Sequence, residues 1–235
     1  MNAQLRIVSA CRNSLTKKAS KSAVHKTRVA IRRARVAISM LGSRPRLKHI
    51  SHDLRKLGGL LGDVRDLDVA IENAAVFSID PKKLIRMRKR AARKLWQAVN
   101  VKRRMSFTKR IAKIGYLRSE PSTEGLGIIL SQAVLSLEKQ ASRKRRGERG
   151  LHRLRADLKL ARYLLEACDK PVQVMKPLQT LLGQSHDIEV LRDLVGKHSG
   201  MMSSRKSFGG KAQPLIRPTL RYAIREIKKL ATLMH

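Results

Sequence analysis

VHKTRVAIRRARVAISML, residues 24–41, carries two stripes on one helix. His25, Arg28, Arg32 and Arg35 follow one another at spacings of 3, 4 and 3, so at 3.6 residues per turn they line one narrow face. Val24, Ile31, Ala34, Ile38 and Leu41 form a second, apolar face roughly 100° round the same cylinder. Such a helix buries its apolar stripe in a bundle and holds a row of cationic donors beside the core. LHRLRADLKLARYLLEAC, residues 151–168, repeats the arrangement, with His152, Arg155, Lys159 and Arg162 in the same places.

Working outward, the flanking sequence predicts three more helices in the first half. One covers about 5–20, on Leu5, Val8, Cys11 and Leu15; one covers about 47–75, on Leu54, Leu57, Leu61, Val64 and Ile71. A very basic helix follows to about 104, opened by Asp80 as N-cap and Pro81 in the first turn. Gly42 and Pro45 close the VHKTR helix in the order expected of a C-terminal cap. Gly115, Pro121 and a cluster of Ser and Thr between residues 105 and 123 mark a linker.

The second half starts again. A helix is expected over about 126–144, then the LHRLR helix, then one opened by Pro171 or Pro177, and, after a polar turn over 199–210, a last helix over about 214–234. LLGDVRDLDVA from Leu60 aligns with LLGQSHDIEVL from Leu181, and this block follows the two-stripe helix in both halves. Two matching blocks in one order indicate an internal duplication of a four-helix unit. No stretch alternates like a strand. The expected fold is all-α: two four-helix bundles, over 1–110 and 121–235, related by a pseudo-two-fold axis.

Charge bounds the function. Lys and Arg number 53 against 17 Asp and Glu, a formal net charge of +36, beyond what solubility asks of 235 residues. Such self-repulsion makes sense if a polyanion neutralises it, which leaves nucleic acid, anionic membrane or a phosphate polymer as partners. Aromatic residues are 3% of the chain, too few to build the stacking platforms of single-stranded nucleic-acid binders. A polymer without bases needs only charge. Cys11 and Cys168 lie in apolar-periodic stretches and read as small buried hydrophobes, and no apolar run has the length of a signal peptide or membrane span. These features together suggest a cytoplasmic protein.

The basic row is the candidate site, because arginine forks bind phosphate bidentately and carboxylates that could pair with them are scarce. Lys83, Arg86, Arg90, Arg93 and Lys94 on the fourth helix, with Arg221, Arg225 and Lys228 on the last, would extend it if those faces meet the row. For any one of these a solvated surface position is the competing account. Asp66 and Asp187 read as carboxylates that hold a neighbouring helix's arginine in its binding rotamer, an arrangement close to an ordinary packing salt bridge. Asp63 and Asp66 supply too few oxygens for a metal, and Gln184 stands where the second copy would need Asp63. Glycine-rich phosphate loops, CxxC pairs and catalytic triads are missing from the sequence, so no cofactor, metal or catalysis is expected. Gly58, Gly59 and Gly62 read as permitting close helix contact.

Together VHKTRVAIRRAR, LLGDVRDLDVA, LHRLRADLKLARYLLEA and LLGQSHDIEV resemble the CHAD domain family of histidine-containing α-helical domains. That resemblance covers nearly the whole chain. It implies two four-helix bundles about a pseudo-dyad and a basic cavity or groove that binds inorganic polyphosphate without catalysis; a cytoplasmic protein that binds this polymer is expected to associate with polyphosphate granules. The family's basic positions carry over to His25, Arg28, Arg32, Arg35, His152, Arg155, Lys159 and Arg162. Arg33 becoming Leu160 in the second copy departs from symmetry. A sequence-independent nucleic-acid binder is the alternative that charge alone permits.

Overall fold

A computed structural model describes Val8, Leu15 and residues 17–39, 45–99, 123–143, 148–168, 170–196 and 201–232. Among these residues there is helix and no strand, and the chain divides into two compact units, Met1–Ser122 and Thr123–His235.

In the first unit, α1 (Lys21–Ser39) packs on α2 (Pro45–Val76), and α2 packs on α3 (Lys82–Ala98). Ser20 caps α1, its Oγ accepting from Ala23 N at 3.2 Å. Val24, Ile31, Ala34 and Ile38 are buried as the stripe requires, and Thr27 fills the gap between them by donating its hydroxyl to Ala23 O at 2.7 Å. Opposite them stand Leu47, Ile50, Leu54, Leu57, Leu61 and Val64 of α2, with Ala92 and Leu95 of α3. Each fully buried leucine or isoleucine contributes roughly 1.5–3 kcal/mol. α3 opens at Lys82, not at Pro81, with Asp80 Oδ1 accepting from Lys82 N at 3.0 Å. It closes at Ala98, where Val99 N bonds back to Leu95 O and Trp96 O, several residues before the expected end at 104. Most of the expected 5–20 helix, the Gly42 cap and the 105–122 linker lie outside the described residues; Lys17 and Lys18 form a turn instead of a last helical turn.

In the second unit, α4 (Thr123–Ala141), α5 (Glu148–Ala167), α6 (Lys176–Val195) and α7 (Met201–Thr232) pack in a ring, each on its chain neighbour and α4 on α7. A 3-10 turn at Gln173–Met175 leads into α6, whose first turn holds Pro177. Cys168, expected within a buried helical stripe, is half-buried in the turn that follows α5. The last helix departs from expectation most. It starts at Met201 and runs unbroken through Pro214 and Pro218. Both prolines are exposed, as is Gly210, so the carbonyls that lose a helical donor face water, while the buried stripe Ala212, Ile216, Leu220, Ala223 and Ile227 continues past them.

One buried ion pair ties the first unit together. Arg88 Nε of α3 donates to Asp68 Oδ1 of α2 at 2.9 Å, and its other nitrogens donate to Lys18 O and Ala19 O just before α1. Ala19 has φ 46, the left-handed region that a residue with a side chain enters only at a cost, and Arg88 holds the turn there. Asp68 is 1% exposed, so removing its partner strands a buried charge. Arg88→Met should lower stability in urea unfolding by about 3 kcal/mol. Lys82→Ala, which breaks an exposed 3.7 Å pair with Asp80, should shift the same transition little.

Candidate functional site: two cationic helix pairs

α1 and α2 run antiparallel, and the pairs between them fix the register. Lys21 Nζ meets Glu72 Oε1 at 2.9 Å, Arg28 Nη1 meets Asp66 Oδ1 at 3.1 Å and approaches Gly62 O at 3.5 Å, and Ile31 lies over Gly58. Continuing that register sets Arg65 beside His25 and Arg55 beside Arg35. The α1 row therefore does not stand alone: α2 adds two guanidiniums to its two ends. Arg28 and Arg32 are half-buried, whereas His25 and Arg35 are exposed.

The electrostatics agree with that placement. His25 is held below its ordinary value of 6.5 by burial first, then by Arg65, Arg32 and Arg28. Although much of its surface is exposed, Arg35 is also lowered, by burial and then by Arg55 and Arg32. Both shifts combine burial, the larger cause, with the guanidiniums of neighbouring arginines. Arg55 and Arg65 were not singled out from the sequence; the signal was their spacing on α2, which puts them on one face with Gly58 and Gly62.

The glycines leave that face low. A Cβ at Gly58 would sit 3.6 Å from Ile31 Cγ2 and one at Gly62 3.9 Å from the Arg28 guanidinium, both ordinary contacts, and at Gly59 it would meet nothing within 4 Å. Close packing therefore does not demand glycine at these positions. The Arg28 guanidinium lies over Gly62 and is held there by Asp66.

In the second unit α5 and α6 repeat the antiparallel pairing. His152 lies 5.5 Å from His186 between ring centroids, Arg162 Nη1 donates to Gln179 Oε1 at 3.0 Å, and Gln179 Nε2 donates to Leu158 O at 3.0 Å. Arg162 also lies 3.4 Å from Glu166 and 4.9 Å over the Tyr163 ring. Arg155 and Lys159 are half-buried between them, and Asp187 is half-buried on α6. A pocket opens at the His152 end, lined by Leu151, His152 and Arg155 of α5, Leu182, Ser185, His186 and Glu189 of α6, and Arg205 of α7. His186 and Arg205 were missed in the sequence. His186 aligns with Arg65 and so was hidden by a change of residue type, and Arg205 falls in a stretch expected to be a turn.

The remaining candidates are spread over other helices. Lys83, Arg86, Arg90, Arg93 and Lys94 are exposed on α3, which takes its place against α2. Arg221 is exposed on α7; Arg225 bonds Glu226 at 3.1 Å and lies 5.7 Å over the Tyr222 ring, and Lys228 bonds Glu138 of α4 at 2.8 Å. Arg225 and Lys228 thus have carboxylate partners that the sequence did not foresee. Among the described residues no group of three or more His, Cys, Asp or Glu is placed to hold a metal, and no helix is long and apolar enough to cross a membrane.

His25 gives a test of this crowding. Its lowered pKa means that the unfolded chain binds a proton more readily than the folded one, so stability is complete above 6.5 and is lost as pH falls from there through the lowered pKa. The imidazole signals of the free protein, followed by NMR against pH, should give His25 a midpoint below 6.5. His25→Gln should lessen the loss of stability on acidification. A midpoint above the ordinary value would contradict the cationic surroundings.

Comparison with known proteins accords with this helical architecture. No curated protein sequence matches the chain. Among solved structures it is similar to the crystal structure of the CHAD domain from the plant Ricinus communis, with 18% sequence identity and a TM-score of 0.58 over 95% of this chain and 90% of that one. At that identity the likeness shows the fold. The family model for the CHAD domain matches residues 1–196, most of the chain and both cationic helix pairs, and the chain belongs to the CHAD domain family.

Proposed function

We propose that the chain binds inorganic polyphosphate, without catalysing a reaction on it, along the cationic faces of α1–α2 and α5–α6. The observation that carries this reading is the meeting on one helix pair of His25, Arg28, Arg32 and Arg35 with Arg55 and Arg65, around one carboxylate that reaches Arg28. A row of guanidiniums at one-turn spacing offers a repeating polyanion paired donors with no need of bases to stack. In this reading the two units are four-helix bundles descended from a duplication, related by a pseudo-dyad, and each supplies one row. The exposed cations of α3, with Arg221, supply long-range attraction. The protein acts in the cytoplasm, at sites where polyphosphate accumulates, and needs no metal or cofactor.

Two measurements test it. With labelled long-chain polyphosphate at near-physiological salt, excess double-stranded DNA or RNA should displace little; equal competition would favour a general polyanion binder. Arg28→Ala with Arg155→Ala should weaken binding about a hundredfold, as loss of two charged hydrogen-bonding groups implies. Two substitutions in the RKRR run at 143–146 should cost far less.

Asp66 separates a built site from diffuse charge. Asp66→Asn raises the net positive charge by one, so a diffuse field predicts tighter binding. If Asp66 holds Arg28 in place over Gly62, the variant should instead bind several-fold more weakly.

A further inference from the structure

The two helix pairs share a register but differ at one position that faces the row. LLGDVRDLDVA over LLGQSHDIEVL puts His186 where the first unit has Arg65. Arg65 is permanently charged, while a histidine changes charge between pH 5 and 8. In the second unit that histidine does not lie on an open face. It lines a pocket with His152, Arg155, Ser185, Glu189 and Arg205, and the two imidazole rings are 5.5 Å apart and tilted by 52°.

The charges around the rings decide what the pair does. From α5 comes Arg155, from α6 Glu189, whose Oε2 lies 3.7 Å from His186 Nδ1, and from α7 Arg205. Glu189 is the carboxylate nearest the His186 ring. Two guanidiniums and the second ring share the lining with that one carboxylate, so the pocket gathers more donors than acceptors. An anion seated among them reverses the balance, because each ring can then donate to an oxygen and neutralise charge. The Ser185 hydroxyl on the buried side of α6 adds a donor that suits a tetrahedral oxyanion.

We propose that the His152–His186 pair, at the mouth of the small pocket between α5, α6 and α7, grips one phosphate group of the polymer and takes it up together with a proton. This inference rests on the polyphosphate reading and deepens it: the second unit grips more tightly as pH falls, whereas the first unit relies at the matching position on the fixed charge of Arg65. Ser185, His186 and Arg205 become phosphate ligands, and Glu189 positions the His186 ring.

Calorimetric titration with long-chain polyphosphate at pH 7, in two buffers of different ionisation enthalpy, reads protons taken up per binding event. Wild type should show uptake, and affinity should rise about tenfold from pH 8 to pH 6, as linkage of about half a proton or more requires. His25→Gln, which removes the titrating group of the first row, should keep at least half of the uptake. His186→Arg should halve the uptake or better, flatten the pH dependence, and bind several-fold more tightly than wild type at pH 8. His186→Gln should likewise halve the uptake or better but bind more weakly at every pH, and helical circular dichroism checks that both variants fold. Uptake unchanged in both His186 variants, or abolished by His25→Gln alone, overturns the inference and leaves polyphosphate binding standing. Absence of binding by wild type at every pH overturns the polyphosphate reading and this inference with it.

Discussion

Two carboxylates on α2, Asp66 and Asp68, grip the helices on either side of it. Two positions apart, they point about 200° apart round a helix, so one faces α1 and the other α3. Asp66 takes Arg28, and Asp68 takes Arg88. With 17 acidic residues against 53 basic ones, each such pair is scarce, and these two fall where a cation must be fixed beside the core. The deeper pair stabilises less than its geometry suggests, because burying both charges costs nearly what their attraction returns. Its value lies in specificity. Arg88 joins α2, α3 and the chain entering α1 in one network, and so fixes the direction from which α1 starts.

That start direction sets the cationic face. Once α1 lies antiparallel on α2, the apolar stripe Val24, Thr27, Ile31, Ala34 and Ile38 determines the rotation of the helix, and the row of His25, Arg28, Arg32 and Arg35 follows from it. The row is therefore carried by the core: shifting it would take the stripe out of contact. The facing positions of α2 are less constrained. Gly58, Gly59 and Gly62 would accept a Cβ without clash, so the low surface beside Arg28 and Arg32 is a property of the sequence and not of the packing.

Much of this was legible in the sequence, for a physical reason. Periodicity reports burial, and burial fixed α1, α2, α5 and α6 together with the faces that they turn inward. The positions opposite the row were not legible, because Arg55, Arg65 and His186 sit at the edge of the contact, where polar and charged residues are equally tolerated and periodicity carries no signal. Arg88 shows the same limit. It lies among the basic residues of α3 and resembles its exposed neighbours, and its burial becomes evident only when α2 brings Asp68 to it. Pro214 misled in the opposite way. Proline is a reliable stop when its lost hydrogen bond is buried, but on the wet face of α7 the freed carbonyl has water, and the helix continues from Met201.

The same contrast between pinned and unpinned positions explains how two like helix pairs acquire different chemistry. The stripe and the row recur in α5 because a bundle helix must keep its core face, and the row lies at a fixed angle to that face. Around it the neighbours change: Arg65 gives way to His186, and Gly58 to Gln179, which holds Arg162 and Leu158 O at once. At the ends of the first row, burial and then the neighbouring guanidiniums depress the pKa of His25 and Arg35. In the second, Arg162 is drawn into a hydrogen bond with Gln179 and an ion pair with Glu166. In the first pair the end residues His25 and Arg35 thus meet further guanidiniums across the contact, while in the second Arg162 is already held and has less conformational freedom to lose on binding.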